Sequence, residues 1–344
     1  MSEGVLDTQD MFAAAAGLPE QVADAAARSR GLDNLPARER IENVVVLGMG
    51  GSGVAGDILA AAAGPFLPVP IIVSKGYELP AFVGESSLVF AVSFSGNTEE
   101  TVEAASAAAV EGGRIVAITQ GGALGRLAGS WGAPVIPVPP DIPQPRAGIG
   151  ALAVPALMVL EQMGLFPGAH QWVDLAVAQL RARRDELTVD GNQAQELAKR
   201  IGRTLPIMFG GGQLGAVAAS RWKNQINENA KVPAFWNAHP ELCHNEVAGW
   251  GQHGDLTRQV FTLVNLRHDF EHPQVMRRFD VVNTLLDEVV ASVEEVRADG
   301  EGYLAQLLDL VMLGDFTSLH LAAQEGLDPG PIPALDHVKA TVAS

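Results

Sequence analysis

The sequence predicts an α/β protein made of two doubly wound halves, each a parallel sheet flanked by helices. Asn43–Leu47 is a short β-branched run, typical of a strand buried on both faces, and it leads into the glycine loop Gly48–Gly53 and a helix. Further apolar strands alternate with helical stretches after it. A second strand, Pro206–Phe209, leads into another glycine loop, Gly210–Gly215, about 160 residues later. The two halves are therefore interpreted as degenerate copies of one α/β fold.

The elements of the first half follow in a regular order. Residues 1–40 are predicted to be a helical segment, because they contain alanine-rich stretches that favour helix. The strands after the first are expected at Val69–Val73, Ser87–Val92 and Arg114–Thr119. A proline-rich stretch, Pro134–Pro145, closes the sheet, and an apolar helix follows at about Ala147–Met163. Together the strands and helices of residues 41–165 form the predicted first domain.

Residues 166–203 combine helical patterns with many charges and are predicted to be a helical bridge. The second domain is expected over residues 204–344. Its strand Gln259–Asn265 takes the place that Ser87–Val92 holds in the first half. Three long helices are expected in it, at Ala216–Ala230, Val281–Val296 and Tyr303–Gln324. The tail from residue 328 is a proline-punctuated turn with a short helix.

Composition and charge exclude several classes of function. The 344 residues carry 40 acidic and 23 basic side chains, a net charge of −17, without a basic patch, so we expect no nucleic-acid partner. The single cysteine, Cys243, excludes an internal disulfide framework and fits a reducing compartment. The N-terminus is acidic, unlike a signal peptide, and the longest apolar run, Gly148–Leu160, is too short to span a bilayer. These features predict a cytoplasmic protein without a membrane partner.

The glycine loop Gly48–Gly53 has the spacing G-x-G-x-x-G at a strand-to-helix turn, which is typical of dinucleotide-binding folds. That fingerprint also requires an acidic residue at the end of the second strand, whereas this strand ends in Val73-Ser74-Lys75. Lys75 is suited to a 2′-phosphate, so an NADP-dependent oxidoreductase stays open as an alternative. The other alternative is structural: the glycines only permit close packing of helix on strand.

A second loop places three hydroxyl groups, those of Ser93, Ser95 and Thr98, around a glycine where a strand becomes a helix. The free amides and the dipole of a helix N-terminus attract an anion, and the hydroxyls add further donors. The loop is therefore predicted to bind a phosphate monoester without a lysine or a metal. Helix capping by Asn97, with Glu100 three residues later, is the structural alternative. Capping leaves the two serines unexplained.

The segment Val92–Thr101, Val-Ser-Phe-Ser-Gly-Asn-Thr-Glu-Glu-Thr, follows Gly-Met-Gly-Gly-Ser-Gly and resembles the sugar isomerase (SIS) domain family. This resemblance implies two tandem, doubly wound SIS-type domains that bind a phosphosugar. It also implies which residues bind the substrate phosphate: Gly51, Ser52, Ser93, Ser95 and Thr98.

Two further segments carry side chains suited to catalysis. Asn-Glu-Asn-Ala-Lys places Glu228 at the end of a helix, and Cys243–Trp250 contains His244. Singly, they are explained more simply as a solvated helix carboxylate and a loop histidine. Together they resemble the Asn-Glu-Asn-x-Lys and His-Asn-Glu-x-x-Gly-Trp signatures of the bifunctional phosphoglucose/phosphomannose isomerases. Pro-Arg-Ala around Arg146, and Asp-Pro followed by Lys339, extend the resemblance from about residue 40 to the C-terminus.

The resemblance implies a metal-independent aldose–ketose isomerase that needs no cofactor and acts on glucose 6-phosphate, mannose 6-phosphate or both. In this group Glu228 would shuttle the proton between C1 and C2, and Arg146 would stabilise the enediolate. His244 would open the pyranose ring, and Lys339 would act at the ring oxygen or position the substrate. The group's ring-opening histidine comes from the neighbouring subunit, which implies a homodimer here.

Other functions stay open on the sequence alone. The chain could be a non-catalytic phosphosugar sensor, or an isomerase of another phosphosugar such as an aminosugar phosphate. A metal-dependent isomerase would use ligands from one segment: His239, Glu241, His244 and His253. The preference between substrates is not determined by the sequence. Gly330 and the residues just before Lys339 also depart from the pattern of the group.

Overall fold

The computed structural model describes residues 5–342. The helices are α1 Met11–Ala16, α2 Leu18–Arg28, α3 Gly50–Ala63, α4 Glu99–Val110, α5 Gly122–Ser130, α6 Ile149–Gln162, α7 Ala169–Leu187, α8 Gln193–Ile201, α9 Gly212–Gln225, α10 Glu246–Gly249, α11 Gly254–Val260, α12 Pro273–Leu286, α13 Tyr303–Gln324 and α14 Pro333–Val342. The strands are β1 Asn43–Leu47, β2 Ile71–Ser74, β3 Ser87–Ser93, β4 Arg114–Thr119, β5 Val135–Pro137, β6 Leu205–Gly211, β7 Phe235–His239, β8 Phe261–Arg267 and β9 Ser292–Arg297.

The chain divides into two compact units. One, called the N-terminal unit, consists of Gly17–Leu180 and Gly300–Ala305. The other, called the C-terminal unit, consists of residues 5–16 with Arg181–Asp299 and residues 306–342. The predicted helical bridge is divided between them within α7, while the domain boundaries read from the sequence stay a prediction.

The N-terminal unit contains a five-stranded parallel sheet in the order β2-β1-β3-β4-β5. On one face, Val45 and Val89 belong to an apolar core shared with α4 and α5. On the other face, Gly56 of α3 lies so close to Val46 that an added Cβ would be 2.8 Å from its Cγ1. The predicted apolar helix is α6, and it packs against α2 and α3. Helices therefore cover both faces, which confirms the doubly wound fold.

The C-terminal unit contains a four-stranded parallel sheet in the order β7-β6-β8-β9. The apolar core on one face joins Phe209 of β6 to Phe279 of α12. On α9, Trp222 donates its indole N–H to the carbonyl of Leu310 on α13 at 2.7 Å. The first four strands of each unit have the same spatial order, with the glycine-loop strand second. The interpretation as two copies of one fold is confirmed, and β8 takes the position of β3.

The predicted helix Val281–Val296 was wrong. Helix α12 ends at Leu286, and residues 292–297 form the edge strand β9, which pairs with β8. Its sequence, Ser-Val-Glu-Glu-Val-Arg, has valines three residues apart and two good helix formers, so it also fits a helix. Pairing with a strand distant in sequence decides the outcome. The sequence also missed the short β5 and the edge strand β7, and it placed β8 two residues early.

Among residues 5–342, one helix, α13, is long and apolar enough to cross a membrane. Of its most apolar stretch, 94% is buried inside the protein, which is typical of a core helix. It crosses from the N-terminal to the C-terminal unit after Ala305. The apolar run noted in the sequence is α6, which is buried along nearly its whole length.

Candidate active site

The loops with the predicted phosphate ligands follow neighbouring strands of the five-stranded sheet. The glycine loop Gly48–Gly53 follows β1, and the loop of residues 93–98, called the hydroxyl loop, lies at the end of β3. These strands pair in parallel, so both loops lie at the carboxyl edge of the sheet. The backbone N–H of Phe94 donates to Oγ of Ser52 at 3.3 Å and joins the two loops. In open α/β sheets, ligands bind at this edge.

The start of α3 is open to an anion. No side chain caps the helix at Met49, so its first amides have no side-chain acceptor. A Cβ on Gly51 would lie 3.2 Å from the carbonyl oxygen of Pro145, so the backbone here passes close to the turn that carries Arg146. Ser52 is buried. These residues place helix amides, a hydroxyl and an arginine-bearing turn around the same edge of the sheet.

The hydroxyl loop is held by its own side chains. The hydroxyl of Ser93 donates to Oγ1 of Thr98 at 2.9 Å and accepts from the N–H of Gly96 at 3.1 Å. Ser93 is fully buried, whereas Ser95 is exposed and accepts from the N–H of Asn97 at 3.2 Å. Ser93 therefore holds the loop, and the hydroxyl of the exposed Ser95 is open to a ligand.

Thr98, not Asn97, is the N-cap residue of α4, and its side chain makes no capping bond. Asn97 instead accepts from the N–H of Ala123 at the start of α5, at 3.0 Å. The capping explanation of this loop was therefore wrong. The amides at the start of α4 lack a side-chain cap, as they do in α3, which leaves them available to an anion.

Two glycines let the hydroxyl loop cross the loop after β4. Gly96 has φ +72°, a conformation that favours glycine, and an added Cβ would lie 1.9 Å from the carbonyl oxygen of Gly121. The N–H of Leu124 also donates to the carbonyl of Gly96 at 2.9 Å. The loop is therefore locked against α5, and no larger residue fits at position 96.

Arg146 lies in a 3-10 turn, Pro145–Ala147, and is 2% exposed. Its Nη1 donates to Oε1 of Gln144 at 3.3 Å. The turn is held by Gln21 of α2, whose amide donates to the carbonyl of Ala147 at 2.9 Å. Gly148 follows, and a Cβ there would lie 3.2 Å from the ring of Phe94. A bulkier residue would press on the hydroxyl loop, which explains the small residue at this position.

Lys75, the residue that an NADP enzyme would use, pairs with Asp57 of α3. Its charge is therefore neutralised by a carboxylate one turn beyond the glycine loop. A 2′-phosphate bound there would have to compete with that carboxylate. This contact gives the NADP alternative no support.

Glu228 lies in the C-terminal unit, in a π turn, Ile226–Ala230, that extends α9. The flanking asparagines hold the turn. Asn227 donates to the carbonyl of Val232 at 2.8 Å, and buried Asn229 donates to Oγ of Ser318 on α13 at 2.9 Å. A π turn widens the backbone and frequently marks a functional site. The half-buried carboxylate of Glu228 is thus presented between two fixed amides.

Lys231 connects the turn of Glu228 to the Asp328-Pro329 segment near the C-terminus. It ends the π turn in the left-handed conformation, with φ +58°. Its ammonium donates to the carbonyls of Asp328 at 2.9 Å and Pro329 at 3.1 Å. This lysine thus has a structural role of its own. Gly330 is also explained: a Cβ there would lie 2.8 Å from the side chain of Gln9.

Sequence reasoning missed the polar cluster behind Glu228. Asp315 of α13 accepts from Nη2 of Arg221 at 2.9 Å and from the amide of Gln225 at 2.8 Å. Its carbonyl also accepts from Ser318, the partner of Asn229, at 2.7 Å. All of these side chains are buried. The available signal was an aspartate and a serine within the apolar helix α13, because buried polar residues in a core helix require partners.

His244 lies in an exposed 3-10 turn, Glu241–His244, after β7. Its imidazole makes no hydrogen bond with any residue between 5 and 342. Lys339 lies on α14, a helix without buried residues, and its side chain is also exposed. Both side chains are therefore accessible from solvent.

His239 is different, because it is buried against the ring of Phe279 at 4.1 Å. Burial, with smaller contributions from Arg267 and Arg278, lowers the pKa of His239 to about 4. Among the described residues there is no group of three or more His, Cys, Asp or Glu side chains that could hold a metal ion. The metal-dependent alternative therefore gains no support from His239.

At the second glycine loop, Gly210–Gly215, the carboxylate of Glu271 lies against the backbone. A Cβ on Gly211 would lie 3.1 Å from Glu271, and Nε2 of His268 donates to the carbonyl of Gly211 at 2.8 Å. Glu271 in turn accepts three hydrogen bonds from Nε and Nη2 of Arg267. An anion at this helix start would meet a negative charge. Of the two copies, only the first has a loop suited to phosphate.

Comparison with known proteins agrees with this geometry. Residues 39–129 match the model of the SIS domain, and residues 190–342 match that of the bacterial phospho-glucose isomerase C-terminal SIS domain. The bifunctional phosphoglucose/phosphomannose isomerase of Caldicellulosiruptor bescii is 35% identical over 97% of this chain and 99% of its own. The chain belongs to the bifunctional phosphoglucose/phosphomannose isomerase family. The resemblance inferred from the sequence is confirmed.

Two further similarities support the family and the fold. The bifunctional phosphoglucose/phosphomannose isomerase of Aquifex aeolicus is 33% identical over 87% of this chain and 89% of its own. The solved structure of tagatose-6-phosphate ketose/aldose isomerase from Escherichia coli has a TM-score of 0.71 at 16% identity. The similarity covers 93% of this chain and 94% of the chain of that isomerase. The two tandem SIS domains are confirmed, while the roles of individual site residues stay predictions.

Proposed function

We propose that the chain is an aldose–ketose isomerase that converts glucose 6-phosphate and mannose 6-phosphate to fructose 6-phosphate and back. One observation carries the proposal: in a member of this family, a hydroxyl loop and two uncapped helix starts meet at the carboxyl edge of a sheet. That arrangement suits the phosphate of a hexose. Such charged phosphosugars are retained inside cells, so a cytoplasmic location accompanies the proposal.

The phosphate would bind where α3 and α4 begin. The backbone of Gly51 and the hydroxyls of Ser52, Ser95 and Thr98 surround this edge, and Ser93 holds the loop in shape. Helix starts offer amide donors and positive potential, so no lysine is needed to neutralise the dianion. Replacing Ser95 and Thr98 by alanine removes two hydroxyls and should weaken substrate binding more than it slows turnover.

Proton transfer requires a base and a group that stabilises negative charge. In the proposed reaction Glu228 removes the proton at C2 of the aldose, and the electron pair moves to the carbonyl oxygen at C1 to give the enediolate. The hydroxyl proton of O2 passes to O1, the C2 carbonyl forms, and Glu228 returns its proton at C1. Arg146 has a permanent charge, so it suits the enediolate oxygen. The enediolate is planar at C2, where glucose 6-phosphate and mannose 6-phosphate differ. One intermediate therefore serves both substrates.

The closed sugar ring must open before proton transfer. We assign this step to His244, which protonates the ring oxygen, with Lys339 positioning the substrate. The exposure of both side chains supports a homodimer in which His244 reaches the site of the neighbouring subunit. A carboxylate, an arginine and a histidine suffice for all steps, so the proposed reaction uses neither metal nor cofactor.

The first experiment is formation of fructose 6-phosphate from each aldose phosphate, in separate assays with EDTA. Turnover of both supports the bifunctional isomerase. Loss of activity that returns on adding a divalent metal would overturn the metal-free mechanism. Turnover of neither, with binding retained, would favour a sensor or another phosphosugar substrate.

Glu228→Gln tests the base, because it keeps the shape of the side chain and removes its basicity. We expect turnover to fall at least about 1,000-fold with little change in binding. Glu196→Gln on α8 is the matched control, since Glu196 is an exposed helix carboxylate whose salt bridge is with Lys199. Wild-type turnover by Glu228→Gln would show that the base assignment is wrong.

A further inference from the structure

A cleft of about 640 Å³ opens in the N-terminal unit, away from the hydroxyl loop. Its walls include Arg40, Asn34 and Arg114, with Trp131 along one side. Arg114 is the first residue of β4, and Trp131 comes shortly before β5. The cleft therefore lies at the amino edge of the parallel sheet, and the candidate active site lies at the carboxyl edge.

The charge of this cleft is unusual for the protein. Both Arg40 and Arg114 line it, and none of its lining residues is acidic. Neither arginine forms an ion pair with a carboxylate within residues 5–342. The chain has 40 acidic against 23 basic side chains, so an unneutralised pair of arginines in one cleft is not an effect of composition.

Three buried arginines elsewhere in the described chain are neutralised by a carboxylate. Arg183, Arg221 and Arg267 are each paired with a carboxylate at 2.9 Å or less. Arg114, in contrast, has a buried Nε–H that makes no hydrogen bond with any described residue. Buried donors in native proteins nearly always have a partner, and those without one require an explanation. Because this atom is closed to solvent, a ligand in the cleft would meet the other N–H groups of the half-buried Arg114.

We propose that this cleft is a second binding site, for a small metabolite that carries a phosphate group. A phosphate monoester carries about −1.5 to −2 charges at pH 7, so a single group neutralises both guanidiniums, whereas a carboxylate neutralises one. Arginine also matches phosphate oxygens with two parallel N–H donors. The volume falls within the range of about 300–1,000 Å³ that holds small ligands, and Trp131 offers an apolar wall to the body of the metabolite.

The site is separate from the candidate active site. Strand β4 runs from Arg114 at the cleft to Thr119 at the other edge, and Thr119 accepts from the N–H of Gly121 beside the hydroxyl loop at 3.2 Å. Five residue steps of a parallel strand span about 16 Å. A small metabolite in the cleft therefore does not reach the hydroxyl loop, and the proposal does not rest on the proposed function.

Equilibrium dialysis of the full chain against radiolabelled inorganic phosphate tests the proposal. The double variant Ser95→Ala/Thr98→Ala weakens the hydroxyl loop and leaves the cleft intact, so we expect about one phosphate still bound per chain. In that background Arg40→Gln and Arg114→Gln should each weaken phosphate binding about tenfold or more, because each removes one charged donor. Arg126→Gln is the matched control: it is an exposed arginine of α5, outside the cleft.

Four results would overturn the proposal. The double variant could bind no phosphate, or its bound phosphate could be insensitive to both cleft substitutions. Alternatively, succinate could bind in the cleft more tightly than phosphate, which would make the ligand a dicarboxylate. Arg40 is exposed, so Arg40→Gln is expected to fold normally, and thermal melting of each variant checks this. Equal loss in Arg126→Gln would show only general electrostatics and would also count against the site.

Discussion

The substitution Asp315→Asn is expected to destabilise the protein strongly and to slow turnover as well. Asp315 accepts from Nη2 of Arg221 with both carboxylate oxygens, at 3.1 and 2.9 Å, and Arg221 is 1% exposed. Asparagine keeps the shape but removes the charge, so the buried Arg221 loses the bidentate ion pair with Asp315. Breaking a buried ion pair from one side costs about 3–5 kcal/mol. That is a large part of the usual stability of about 5–15 kcal/mol.

The loss of turnover has a geometric cause. Arg221 and Gln225 lie on α9, and the π turn that carries Glu228 extends the same helix. When their contact with α13 weakens, the Glu228 carboxylate is held less precisely relative to the rest of its unit. A misplacement of about 1 Å costs on the order of 100-fold in rate. We therefore expect kcat to fall by about ten- to 100-fold, in conditions where the variant is still folded.

Asp309→Asn is the matched control. Asp309 is a buried aspartate of α13 that pairs with Arg183 at 2.8 Å, and Arg183 keeps Asp299 and Glu186 as further partners. Asp309→Asn should lower the free energy of unfolding by about 1.5–3 kcal/mol and leave kcat unchanged. Urea unfolding measures stability, and steady-state assays below the unfolding range measure kcat. The reasoning fails if Asp315→Asn loses less than about 1 kcal/mol, or if both variants lose kcat equally.

Three further predictions concern other parts of the chain. Gly96→Ala should weaken substrate binding at least about tenfold, because its Cβ would lie 1.9 Å from the carbonyl of Gly121 and the loop must move; a binding titration measures this. In the folded protein the pKa of His239 is lowered to about 4, so the unfolded chain takes up this proton first and wild-type stability falls as the pH falls from 6.5 to 4. His239→Leu removes this group and should make the loss of stability in that pH window smaller. Lys231→Met should loosen the turn at Asp328, because three carbonyls lose a charged donor, and hydrogen exchange of residues 328–342 should increase.

Each of these three has a control and a contrary outcome. Gly129→Ala, with open space around its Cβ, should bind substrate normally, and equal weakening in both variants would refute the loop argument. His337→Leu, at an exposed position, should keep the wild-type pH profile; an unchanged profile in His239→Leu would contradict the assigned pKa. Lys199 is exposed, so Lys199→Met should leave hydrogen exchange at the C-terminus unchanged. Unchanged exchange in Lys231→Met as well would show that the contacts of Lys231 do not hold this segment.

The sequence predicted the inner strands and the loops that follow them. Asn43–Leu47 and Ser87–Val92 are apolar and β-branched, so their strand character is written locally, and each runs directly into a glycine or hydroxyl loop. The edge elements were different. Phe235 and Trp236 of β7 are half exposed, and β9 has two adjacent glutamates between its valines, so neither resembles an inner strand. Pairing with β6 and β8 stabilises them, and that pairing is not a local property.

The sequence by itself determined the two-fold α/β plan and the phosphate loop, because the pattern of apolar, glycine and hydroxyl residues carries that information. It identified Glu228, Arg146 and His244 as candidates only through the resemblance of their segments to the signatures of the family. Only the tertiary structure decided that Ser93 holds the loop rather than opening to a ligand. It also decided that Asp315 supports the turn of Glu228, and that Arg40 and Arg114 share one cleft. The physical reason is distance along the chain. Asp315 and Arg221 are 94 residues apart, and the energy of a buried ion pair depends on a partner that no local pattern identifies.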